Sequence, residues 1–102
     1  MKIYIAKEFS KKPVGRYLNE GNFSGEYFRL NYLEDKLLKN EFIEIYLDGV
    51  LGYGASFLEE AFGGLTRNGF SSEQIFNQIK FISKNPVLIY QIHSYIKNGN
   101  NK

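Results

Sequence analysis

The chain has no cysteine, no tryptophan, one histidine, one methionine and two prolines in 102 residues. Without cysteine there are no disulfides, no thiolate metal sites and no cysteine nucleophile. A lone histidine, His93, argues against a histidine-rich zinc site and against most histidine-based acid–base chemistry. No apolar run approaches the roughly 18 residues that a membrane span needs. The opening Met1-Lys2-Ile3-Tyr4-Ile5 enters a strand pattern directly, with neither the apolar stretch nor the cleavage site of a secretory signal. These absences lead to the expectation of a cytoplasmic protein with no metal and no cofactor.

What is present fits one small domain. Hydrophobic residues make up 43% and charged residues 24%, the balance of an ordinary globular protein. Eight tyrosines and nine phenylalanines supply large buried area per residue, which a chain of this size needs because it buries only about two-thirds of its unfolded surface. The net charge of +2 conceals a division. Residues 1–33 carry six basic and three acidic side chains, residues 34–73 three and eight, and residues 74–102 four and none. An acidic middle between basic ends is not the even basic face of a nucleic-acid binder, so no nucleic-acid partner is expected.

Strand and helix signals alternate along the chain. Ile3 and Ile5 alternate with Lys2 and Tyr4 as in a short strand. Residues 9–25 hold Pro13, Gly15, Gly21 and Gly25 and read as a long irregular segment, with a brief strand near Arg16-Tyr17-Leu18. Leu30, Leu33 and Leu37 mark a helix over 26–39, capped by Ser24 or Gly25. Phe42 to Leu47 is nearly continuous in β-formers and predicts a central strand covered on both faces, ended by Asp48-Gly49. Ser56 and Glu59 have capping-box spacing, and Leu58, Ala61, Phe62 and Leu65 form a helical stripe. The Gly63-Gly64 pair inside it costs roughly 1 kcal/mol per glycine relative to alanine, which implies close approach by another backbone, either the sheet or a partner. A short helix over Ile75 and Ile79, a strand at Lys80 to Ser83 and a last helix capped by Asn85 with Pro86 at its first position complete the order. Leu88, Ile92, Tyr95 and Ile96 form its stripe, and 98–102 is expected as a disordered tail behind a domain of residues 1–97. The alternation predicts a single α/β domain, a short mixed sheet with helices packed against it.

Three groups of residues are candidates for function. Lys12, Arg16, Ser24, Gly25 and Arg29 surround a glycine-rich turn into a helix, where free N–H groups and basic side chains could hold an anion or a nucleotide. Glu26, in the same first turn, competes for that position and can pair with Arg16 or Arg29. The connection from Asp48 through Gly52, Tyr53 and Gly54 to Ser56 lies at the carboxyl end of the central strand, where functional loops of α/β sheets gather. Phosphate on Ser56 would be favoured at a helix N-terminus. Glu59 and Glu60 point about 100° apart on a helix, so they read as solvated complements to its dipole and not as a catalytic pair. His93 reads as a surface or half-buried packing residue. No nucleophile has a base in sequence reach, and no enzyme is expected.

The blocks Pro13-Val14-Gly15-Arg16-Tyr17, Gly21 to Arg29, Tyr46-Leu47-Asp48-Gly49 and Gly52 to Leu65 resemble a family of STAS-like domains of unknown function. The resemblance covers nearly the whole chain. It implies a STAS-like α/β fold related to bacterial anti-sigma-factor antagonists, switch proteins that bind a histidine-kinase-like ATPase. Those relatives are phosphorylated on a serine at the start of the helix after a central strand, within an Asp-Ser-Ser pattern. The matching stretch here is Gly54-Ala55-Ser56, so alanine stands at the acceptor position and only the second serine is kept. The implied function is a non-enzymatic regulatory module. Its docking face would comprise Asp48, Gly52, Tyr53, Gly54, Ser56, Glu59 and Glu60, with Ser56 as the residue open to phosphorylation.

Overall fold

The computed structural model describes residues 1–101. Three short strands, β1 (Lys2–Tyr4), β2 (Ile43–Tyr46) and β3 (Ile79–Ile82), pair in chain order. Both pairings are parallel, Ile3 opposite Ile45 and Ile45 opposite Phe81. The α/β layering is as expected; the pairing is parallel throughout where a mixed sheet was anticipated. With two connections of the usual right hand and strands laid down in the order 1-2-3, both crossovers fall on one face. The burial alternates accordingly. Ile3, Ile43, Ile45, Ile79 and Phe81 are buried, while Lys2 and Lys80 are exposed and Tyr4, Glu44, Tyr46 and Ile82 are only half-buried. The expectation that β2 is covered on both faces is thus corrected: its Glu44 and Tyr46 side is open.

The first crossover is helix α1, residues 25–38, built as Gly25–Phe28, a π-helical segment Arg29–Leu33 and Glu34–Leu38. Ser24 caps it, its Oγ accepting the Tyr27 N–H at 3.2 Å. The wider π turn shifts the phase of the stripe, so buried positions run Phe28, Leu33, Leu37 and Leu30 is left exposed. Helix α2, residues 55–67, has the same construction: Ala55–Leu58, a π segment Glu59–Gly63 and Gly64–Arg67. Every residue from Phe57 to Thr66 is buried, which makes α2 the central pillar of the domain. Its N-cap is Gly54, without a side-chain cap, so Ser56 lies inside the first turn and the Ser56–Glu59 capping box does not form.

Helix α3 (Ser72–Gln78) is capped by Ser71 and leads straight into β3. Helix α4 (Pro86–Lys97) is capped by the Asn85 side chain and buries Ile92 and Ile96. The brief strand near Arg16 is absent; a 3-10 turn at Leu18–Glu20 stands there. Of the expected 98–102 tail, Lys102 lies outside the described residues; Gly99–Asn101 form a 3-10 turn, and the Arg67 guanidinium donates to the Gly99 carbonyl at 3.2 Å.

At Gly63 and Gly64 the expected neighbour, the sheet or a partner, is replaced by helix α4 and the Arg29 side chain. A Cβ on Gly25 would meet the Phe57 carbonyl oxygen at 2.5 Å, so α1 and α2 touch backbone to backbone. A Cβ on Gly63 would meet the Tyr95 carbonyl oxygen at 3.0 Å, and one on Gly64 would meet Arg29 Nε at 2.5 Å.

Candidate functional site

The two π segments face each other across a buried ion network. Arg29 Nη2 donates to Glu60 Oε2 at 2.9 Å, its Nε donates to the Glu60 carbonyl at 3.1 Å, and its Nη1 pairs with Glu34. Arg16 Nη1 donates to both Glu59 and Glu60. Arg67 donates to Glu59 through both terminal nitrogens and to Glu60 Oε1 at 3.0 Å. Three guanidinium groups therefore meet three carboxylates, with Arg29, Glu59 and Glu60 at most 6% exposed. Charges this deep are tolerated only when paired and hydrogen-bonded. Burial would lower the Arg16 pKa, but the hydrogen bonds to Glu59 and Glu60 outweigh it and raise it. Arg67 is raised too, chiefly by its hydrogen bond to Glu59.

This network corrects two expectations. Glu59 and Glu60 are not solvated and offer no contact surface; they position Arg16, Arg29 and Arg67. The anion cradle at Gly21–Glu26 is also filled from within. The Gly25 N–H donates to the Gly15 carbonyl, the Glu26 N–H to the Arg16 carbonyl and the Phe28 N–H to the Ser24 carbonyl. Ser24 is fully buried as a cap, and Glu26 takes the Leu18 N–H at 2.9 Å instead of pairing with Arg16 or Arg29. Lys12 stays exposed on the loop.

The surface that remains open is at the carboxyl ends of β2 and β3. Asp48 accepts the Ser83 hydroxyl at 2.6 Å and the Lys84 N–H at 2.9 Å, tying the two strand ends together. Those two bonds hold its carboxyl below the usual carboxylate range. The Tyr53 hydroxyl donates to the Leu47 carbonyl at 2.7 Å, and burial, with the nearby Asp48 charge, raises its pKa. Tyr53 and Gly54 are half-buried, while Gly49, Leu51, Gly52, Ala55 and Ser56 are exposed. Leu51, at 73% exposure, is an apolar tip that the sequence reading passed over. Two concavities flank this loop. One of about 270 Å³ is lined by Arg16, Ala55, Ser56, Glu59, Tyr95 and Asn98. The other, about 380 Å³, lies between Asp48, Tyr53, Leu88 and Gln91.

Ser56 therefore stands exposed in the first turn of the central helix, on the rim of a hollow that also holds Arg16. The comparison with family models matches residues 24–88, from the Ser24 cap through the Ser56 helix into α4, to the STAS-like domain of unknown function (DUF4325). The chain belongs to this family. The family's description assigns no function, and suggests a regulatory module at most. Neither the curated proteins nor the solved structures contain a match. No group of three or more metal-ligating side chains occurs among the described residues, and no helix there is long and apolar enough to cross a membrane.

Proposed function

We propose that this STAS-like domain is a non-enzymatic bacterial regulatory module that docks a histidine-kinase-like ATPase. The docking face comprises the loop from Asp48 to Gly54 and the exposed first turn of α2 at Ala55 and Ser56. The observation that carries this reading is the exposure of Ser56 at the uncapped start of the central helix, where the related antagonists meet their kinase. Gly52, the exposed Leu51 and the Tyr53 ring extend that surface. Glu59 and Glu60 act from beneath it, fixing Arg16 at the rim of the hollow.

Ser56 is the residue of this face able to take a phosphate. A phosphoryl group there would meet the positive end of α2 and lie on the Arg16 side. The added charge would block an apolar contact through Leu51 and release the partner. The nucleotide-sensing alternative at Gly21–Glu26 loses its support, because the N–H groups and arginines it needs are bonded within the fold.

Affinity capture of the tagged domain from its native host, followed by mass spectrometry, tests the proposal. Recovery of an ATPase of that class with the wild type and its loss with Ser56→Asp and Leu51→Ser is expected. Equal recovery with both variants would move the docking face elsewhere.

A further inference from the structure

The two edges of the sheet differ. On β1 the outward amides are those of Lys2 and Tyr4, and the Glu8 carboxylate caps the Tyr4 N–H at 2.7 Å. On β3 the Leu47 N–H donates to the Ile82 carbonyl, so Ile82 and Lys80 turn their backbone groups toward β2. In a parallel ladder the alternate residue, Phe81, then turns its N–H and C=O outward. The Ile79 N–H closes the end of α3 on the Ile75 carbonyl. Among the described residues, no side chain or loop closes over the Phe81 backbone as Glu8 closes over Tyr4.

A groove of about 530 Å³ runs along this edge. Its lining includes Lys80 and Phe42 from the open face of the sheet and Ile79 and Phe81 from the core face, so it wraps round the strand. Its far wall is α4, through Ile89, His93 and Lys97 at successive four-residue steps. Gln91 and Tyr95, on the opposite side of α4, line the hollows of the Ser56 face, so the helix separates the two surfaces. The groove lies between a strand edge and a helix, a setting that can accept an extended peptide.

Charge selects the occupant. No acidic residue lines the groove, and residues 74–101 contain none, while its two lysines, Lys80 and Lys97, are both exposed. Glu44 lies opposite Lys80 on β2, away from the edge. A second copy pairing β3 to β3 would bring these lysines against their own images, and lysine on an edge strand disfavours such self-pairing. We propose that the β3 edge and α4 accept an extended segment of a protein partner as a fourth strand, with acidic residues alternating with aliphatic ones. The aliphatic side chains would lie over Phe76, Phe81 and Ile89 on the α4 side, the acidic ones against Lys80 on the open face. The Phe81 backbone would supply main-chain bonds.

The test is selection from a random linear twelve-residue peptide library, with the enriched sequences mapped by amide shifts on the labelled full chain. Enrichment of alternating acidic and aliphatic peptides is expected, with shifts centred on residues 79–82 and 89–97. Binding should weaken at least tenfold in Lys80→Glu, and peptides with lysine for glutamate should recover on that variant. Lys80 is exposed, and an unchanged melting curve shows that the variant is folded. Enrichment without acidic residues, shifts centred on 48–56, or no enrichment at all would overturn the proposal. So would sedimentation as a β3-paired dimer.

Discussion

Arg29 holds Glu60 at two points, its Nη2 on the carboxylate at 2.9 Å and its Nε on the backbone carbonyl at 3.1 Å. The residues lie 31 positions apart, and their contact joins the π segments of α1 and α2. The link explains why Gly64 has no side chain, since Arg29 Nε occupies the space a Cβ would take.

Arg29→Met is expected to destabilise the domain by about 3–5 kcal/mol, because it leaves Glu60 charged, buried and short of a partner. Arg29→Lys is expected to rescue little, since an ammonium cannot reproduce the two-point fork. Arg16→Met, at a more exposed position, is expected to cost less. Urea unfolding of the three variants checks the order.

Gly25→Ala is expected to cost about 1–3 kcal/mol or more, because its methyl group meets the Phe57 carbonyl and the Ala61 amide, both backbone and unable to move aside. Gly52→Ala, with open space around it, is expected to stay within about 0.5 kcal/mol. Thermal melts of the pair separate close packing from a general intolerance of alanine.

The arginine network was hard to read in the sequence for a physical reason. Glu59-Glu60 near a helix start has the same local signature whether it faces water or three arginines, and Arg16 is 43 residues away from Glu59. The π turns are equally silent locally, and they displaced Leu30 from the stripe. The three paired strands and the Asn85-Pro86 start of α4 were legible, because each is carried by short-range backbone chemistry; that the Gly63-Gly64 pair was tight was legible, but not what it packs against. That the β2 face bearing Tyr46 is open depends on strand order, which no local pattern encodes. At the proposed docking face, the Asp48–Ser56 connection was legible as a strand-end loop. The burial of Glu59 and Glu60 beneath it was not.

His93 packs against Phe76 and Phe81, and burial, then the Lys97 charge, lowers its pKa from the ordinary 6.5. The unfolded chain therefore binds a proton more readily than the folded one. Its contribution to stability is intact above the unfolded pKa and is lost as pH falls through that value toward the folded one. As the chain has one histidine, a single imidazole NMR titration is expected to give a midpoint below 6.5. Stability is expected to decline from pH 7 to 5 more steeply in wild type than in His93→Gln. A midpoint above 6.5 would reverse the sign.

The central claim, docking of a histidine-kinase-like ATPase at the Ser56 face, is tested most directly by photo-crosslinking in the native host. A benzophenone amino acid replaces Ser56 in one strain and the exposed Lys39, in the loop that leaves α1, in another. The account predicts a covalent adduct from position 56, carrying peptides of an ATP-binding kinase-like domain, and none from position 39. No adduct from position 56, or the same adducts from both positions, would contradict it.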